Sequence, residues 1–208
     1  VDKVVEKHGG DGPVRGIDGR QFRKDKVAMI GTLFGRKRMT EDKMANIFVN
    51  AVLEMVAEGF PTVAAELNEA PEFATCPGLR VEDDRRFALI VLTGNLIEMQ
   101  RLAGPGIDKR LYSRAISKFA GALDEQASLV EEEVRALRDR MERINYPSKN
   151  TVYAMAKAVF HEYELFRFQD PYFREQRAPN PIVLKRVKAL MGYFVWGWND
   201  VFEQYRVV

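Results

Sequence analysis

One cysteine, two histidines and two tryptophans in 208 residues are small numbers, and each scarcity removes a class of chemistry. With Cys76 alone no internal disulfide can form, and a cytoplasmic or other reducing compartment is expected. The sequence begins at Val1 instead of methionine, and organellar import is the expectation if that start reflects cleavage. His8 and His161 are too few for a zinc site built from several Cys or His ligands. Neither has a glutamate three residues before it, which removes the Glu-x-x-His pairs of di-iron bundles. A carboxylate-only site stays open, but no metal and no cofactor is expected. Long apolar runs are lacking too. The longest, Phe87 to Leu92, falls far short of the roughly 18 residues of a spanning helix, so no transmembrane segment is expected.

Phosphate-binding loops are also missing. Gly31 and Gly35 precede Arg36 and Lys37 at the wrong spacing for G-x-x-x-x-G-K-[ST], and no Ser or Thr follows. Gly10, Gly12 and Gly16 follow no strand and fail the dinucleotide fingerprint, and G-x-S-x-G does not occur. Glu82-Asp83-Asp84 and Asn199-Asp200-Val201 resemble fragments of the metal-diphosphate motifs of all-α terpenoid enzymes. Those motifs need further carboxylates to hold Mg²⁺. No third acid follows Asp84 at that spacing, and Phe202 stands where a hydroxyl is required.

What is present is 46% hydrophobic and 30% charged residues, the composition of a globular chain with one good core. A net charge of +2 conceals an asymmetry. Residues 1–38 hold ten Lys or Arg against five acids, whereas the other 170 residues hold 22 against 25. The front, rich in glycine and poor in apolar periodicity, reads as a basic arm over 1–38; residues 39–208 read as the helical domain.

Within that domain the periodicity is helical. Thr40 opens a helix whose stripe Met44, Ile47, Phe48, Ala51, Met55 is expected to stop at Gly59, with Pro61–Leu67 a separate short helix. Asp83 or Asp84 opens a helix apolar all round from Phe87 to Leu92, which belongs in the middle of the fold. Gly104-Pro105-Gly106 ends it. Ile116, Leu123, Val130, Leu137 and Ile144 then recur every seven residues, which predicts one long helix over 109–144. A helix follows Pro147 with the stripe Val152, Ala156, Val159, Tyr163, Phe166, and Phe168, Tyr172 and Phe173 are expected to pin the next loop. The last helix is expected over Pro181–Arg206. Val187, Met191, Phe194, Trp198, Val201 and Tyr205 form its core face, while Ala189, Tyr193 and Trp196 point the other way. The fold class is all-α: an antiparallel bundle of five to six main helices with a basic N-terminal arm.

No catalytic constellation is legible. His161 with Glu164 one turn on, and Glu98 on the most apolar helix with Arg101, Arg114 or Lys157 as partner, are single candidates for acid or base work; Asn95 is another polar residue on that helix. The two-sided last helix and the long heptad helix point to a structural or adaptor subunit acting through protein contacts, self-associating or within a larger assembly. Tyr193, Trp196 and the triplet Arg36, Lys37, Arg38 are its expected interaction residues. The alternative from another class is a nucleic-acid-binding protein using residues 20–38. A further alternative is an enzyme or apolar-ligand carrier with a pocket near Glu98, His161 and Trp198.

Overall fold

A computed structural model describes residues 36–208. The residues expected to form the glycine-rich arm and the run Val27–Gly35 lie outside the described residues. Among the described residues the fold is all-α apart from two three-residue strands.

Strand β1 (Lys37–Met39) leads into α1 (Glu41–Asn68). The Thr40 hydroxyl accepts the Lys43 amide at 3.3 Å, and Glu41 and Asp42 sit at the positive end of the helix dipole. Contrary to expectation, α1 runs on through Gly59 and Pro61. Burial on both sides of the proline overrides its missing N–H: Val52 and Val56 before it, Val63 and Leu67 after it, all face the core. Gly59 marks close packing and not a stop, because a Cβ there would lie 2.6 Å from Cζ of Phe194. At full length α1 is the one helix among the described residues long and apolar enough to cross a membrane, and its apolar stripe packs into this chain's own core.

Helix α2 (Asp84–Leu102) is the centre, with every side chain from Phe87 to Ile97 buried. Helices α1, α3 (Ile107–Ala122), α4 (Ala127–Asn145) and α5 (Thr151–Glu162) all pack against it. Gly94 admits the side chain of Met155 from α5, which a Cβ would strike at Sδ and Cγ.

The expected long helix over 109–144 is two helices. The chain turns between α3 and α4 at Asp124, whose φ is 55°. The heptad register survives the turn because both helices show their stripe to α2, and a periodicity cannot tell one long helix from two that share a neighbour. Arg85, at the start of α2, grips Glu125 at 2.7 Å and Glu133 at 2.7 Å and braces the corner.

After α5, Gln169 holds the chain. Its side chain donates to the Ala178 carbonyl at 2.9 Å and accepts the Asn180 amide at 2.5 Å. Tyr172, expected to pin this loop, is exposed on α6 (Pro171–Gln176). Helix α7 (Pro181–Met191) starts as expected, with the Asn180 side chain accepting the Ile182 amide at 2.9 Å. It does not continue to Arg206. It tightens into a 3-10 turn over Gly192–Phe194, opens over 195–197, and resumes as α8 (Trp198–Gln204) before strand β2 (Tyr205–Val207).

Asn95 is the cause. Buried in α2, its side-chain amide donates to the Phe194 carbonyl at 2.8 Å and its oxygen accepts the Trp196 amide at 2.6 Å. The Trp198 indole donates to the Asn95 carbonyl at 2.9 Å. Backbone groups that a helix would use internally are thus taken by α2. Val187, Met191, Phe194 and Trp198 are buried as expected, whereas Val201 and Tyr205, expected on the same core face, are only partly buried.

Candidate anion-binding face

Strands β1 and β2 pair in parallel, with Lys37 opposite Tyr205, Arg38 opposite Arg206 and Met39 opposite Val207. Met39 and Val207 turn inward, Val207 being buried, and the Val208 amide donates to the Met39 carbonyl at 2.9 Å. Because side chains alternate along a strand, Arg38 and Arg206 point together away from the core, and Arg36 shares their face. All three are exposed. Among the described residues, neither they nor Lys37 has a carboxylate within ion-pair distance.

A second set of cations adjoins this ribbon. The Val208 carbonyl accepts the Glu41 amide at 3.3 Å, and the Glu41 carboxylate receives Arg110 at 2.6 Å and Arg114 at 3.5 Å. Lys118 reaches Asp42 at 3.0 Å. Arg110, Arg114 and Lys118 repeat every four residues down one side of α3, the spacing that stacks side chains on a helix. Glu41 is nearly buried, its side chain 8% exposed, while Arg110 and Arg114 are 59% and 48% exposed. The pairs to the exposed Asp42 contribute at most about 1 kcal/mol each, whereas Arg110 also neutralises the nearly buried Glu41. Guanidinium donors of Arg110 and Arg114 not used by Glu41 remain open to solvent. In all, Arg36, Arg38, Arg206, Arg110, Arg114 and Lys118 stand against two carboxylates, Glu41 and Asp42, while Lys37 lies on the other side of the ribbon.

The fold brings Arg36 and Arg38 of the triplet into this face and puts Lys37 on the ribbon's other side, whereas the remaining expected residues lie apart from it and mostly from one another. Glu98 accepts Arg101 at 2.8 Å and also the Thr151 hydroxyl, and Arg101 donates to the Lys149 carbonyl at 3.0 Å. This ties α2 to the start of α5. His161 lies ten residues beyond Thr151 on α5, about 15 Å along the helix, so Glu98 and His161 form no common site. Glu164 falls outside α5 with a φ of 50° and pairs with Arg167 at 2.9 Å instead of orienting His161. The His161 ring packs edge-on against Phe166, and burial and the Arg140 charge hold it below the usual imidazole range, only partly opposed by Glu162. Lys157 is likewise lowered by burial, and its ammonium donates to the Ile144 carbonyl at 2.8 Å. Trp198 is packed between Phe48 and Phe202, which fills the interior where a pocket was expected.

Of the two aromatic interaction candidates, Tyr193 is 59% exposed. Trp196 does not face outward: it is partly buried with its ring edge against Phe48, and its indole N–H has no hydrogen-bond partner among the described residues. Among the described residues no group of three His, Cys, Asp or Glu is placed to hold a metal ion.

The α3 row was visible in the sequence as a spacing of four, hidden beneath the stronger heptad of apolar residues. Arg206 carried no local signal, since only the strand pairing brings it to Arg38. No family model, curated protein or solved structure matches this chain.

Proposed function

We propose that this chain binds the phosphate backbone of a nucleic acid, with the helices as a rigid platform and residues 20–38 extending the contact. One observation carries the reading: three segments distant in sequence bring exposed cations to the junction where the Val208 carbonyl accepts the Glu41 amide, and those of the ribbon have no carboxylate partners among the described residues. Such a face supplies affinity without sequence readout, and it makes binding steeply salt-dependent. The +5 charge of residues 1–38 adds to it. The finer arrangement we propose for the helices is an antiparallel bundle, and the basic N-terminal arm we propose ahead of it joins the fold at strand β1. Retention of the full chain on immobilised DNA or RNA at low salt, released by moderate salt and weakened by Arg114→Gln with Lys118→Gln, is the expected result. Unretarded flow-through at low salt on both polymers overturns the proposal.

A second reading, assembly through protein contacts, draws on a different surface. Ile182, Lys185, Ala189 and Tyr193 line the outer side of α7 and the turn after it, with Ile182 60% and Tyr193 59% exposed. The helix expected over Pro181–Arg206 ends at Met191 and the 109–144 segment is two helices, so this reading rests on the exposed face alone. Light scattering behind size exclusion tests it: a dimer converted to monomer by Tyr193→Lys supports the reading, and a monodisperse monomer ends it.

A further inference from the structure

Two arginines held opposite each other in neighbouring strands form an unusual contact. Like charges directly across a strand pair oppose the pairing, and a three-residue parallel ribbon has few hydrogen bonds to set against that. The ribbon is held from elsewhere: by the buried Val207, by the Val208 amide on Met39, and by the Asn95 bonds that anchor the preceding segment to α2. The core therefore fixes the backbones of Arg38 and Arg206 about 4.8 Å apart, with both side chains on the solvent face. Guanidinium groups so placed each offer a planar fork of donors, the geometry that matches phosphate oxygens.

Resting on the nucleic-acid reading, we infer that Arg38 and Arg206 together seat one backbone phosphate, and that occupying this seat tightens the β1–β2 ribbon. The anion removes the repulsion that opposes the pairing, so binding and strand closure reinforce one another. Arg36, two residues before Arg38 on the same face, takes the next phosphate along the strand direction.

The charge reversal Arg38→Glu separates this seat from a general basic surface. It creates an ion pair with Arg206 across the ribbon, so it strengthens the fold locally while destroying the seat. Binding of a fluorescein-labelled oligonucleotide of about 20 nucleotides is read by anisotropy with the full chain at low salt. Hydrogen exchange at residues 37–39 and 205–208 is followed in the same proteins. For Arg38→Glu we expect binding weaker by about tenfold or more, with slower exchange than wild type in the absence of oligonucleotide. In the wild type, adding oligonucleotide slows exchange at the same amides. Arg206→Glu gives the same pattern from the other strand. Arg38→Glu binding within twofold of wild type overturns the seat. If binding then remains sensitive to Arg114→Gln and Lys118→Gln, the functional reading survives its loss. Wild-type protein that binds anionic vesicles but no oligonucleotide overturns both.

Discussion

Replacing Asn95 by leucine tests the argument that a single buried amide redirects the C-terminal third of the chain. Asn95 is 1% exposed, and the substitution keeps most of its volume while removing the donor to the Phe194 carbonyl and the acceptor for the Trp196 amide. Each backbone group left unpartnered in the interior costs about 1–3 kcal/mol. Burying the added methyl groups returns about 1 kcal/mol. The net loss centres on about 3 kcal/mol, which for a domain of this size lowers Tm by roughly 6–12 °C. Chemical denaturation followed by tryptophan emission suits the question, because Trp196 and Trp198 both lie in the segment that Asn95 holds. A matched control sits two residues away. The Thr93 hydroxyl is buried without a partner among the described residues, so Thr93→Val removes an unsatisfied group and should raise stability by up to about 1 kcal/mol. Opposite signs for the two substitutions are expected. An Asn95→Leu midpoint within 0.5 kcal/mol of wild type (about the scatter of neutral substitutions) would refute the reasoning. So would shifts of the same sign. Because the held segment ends in β2, Asn95→Leu should also weaken oligonucleotide binding by displacing Arg206 from Arg38.

Other expectations follow from particular contacts. Gly94→Ala forces a Cβ into Met155 and should cost about 1–3 kcal/mol, with Met155→Ala in the same chain costing less than the sum of the single changes, as a double-mutant cycle in urea measures. His161 binds its proton less readily in the folded protein than in the unfolded one, so its contribution is fully present above about pH 6.5 and is lost as pH falls through the lower folded value. His161→Gln should therefore flatten the decline in urea midpoint between pH 6.5 and 5; equal declines in both proteins would remove His161 as the cause. Arg85→Gln releases the corner at Asp124 and should speed hydrogen exchange over residues 123–129 more than elsewhere, whereas uniform exchange would show that the clamp is not what holds the corner.

How far the sequence revealed this molecule depended on whether a signal was local. Burial in α2 was readable from Phe87–Leu92 because apolar residues on every side leave no wet face. The helix start at Thr40 was readable because an N-cap acts on an amide only three residues away. Helix continuity was not, and it misled in both directions. Gly59 and Pro61 signalled a stop that packing overrode, while an unbroken heptad concealed the turn at Asp124. The break after Met191 depended on Asn95, about a hundred residues earlier, and no periodicity records such a partner. The candidate face was half legible for the same reason. Its triplet Arg36, Lys37, Arg38 stands out as a charge run, but Arg206 joins it only through strand register and the α3 row only through Glu41 and Asp42.

The central claim is that the converging cations meet phosphates, and the salt dependence of duplex binding by the full chain measures it most directly. Six cations against two carboxylates leave an excess of four on the described face. Full engagement of four phosphates gives a slope of log K against log salt of about −3.6. Arg36→Gln, Arg38→Gln and Arg206→Gln together should bring that slope about 2.7 closer to zero. No binding at about 50 mM salt, or a slope near zero that the triple substitution leaves unchanged, contradicts the account.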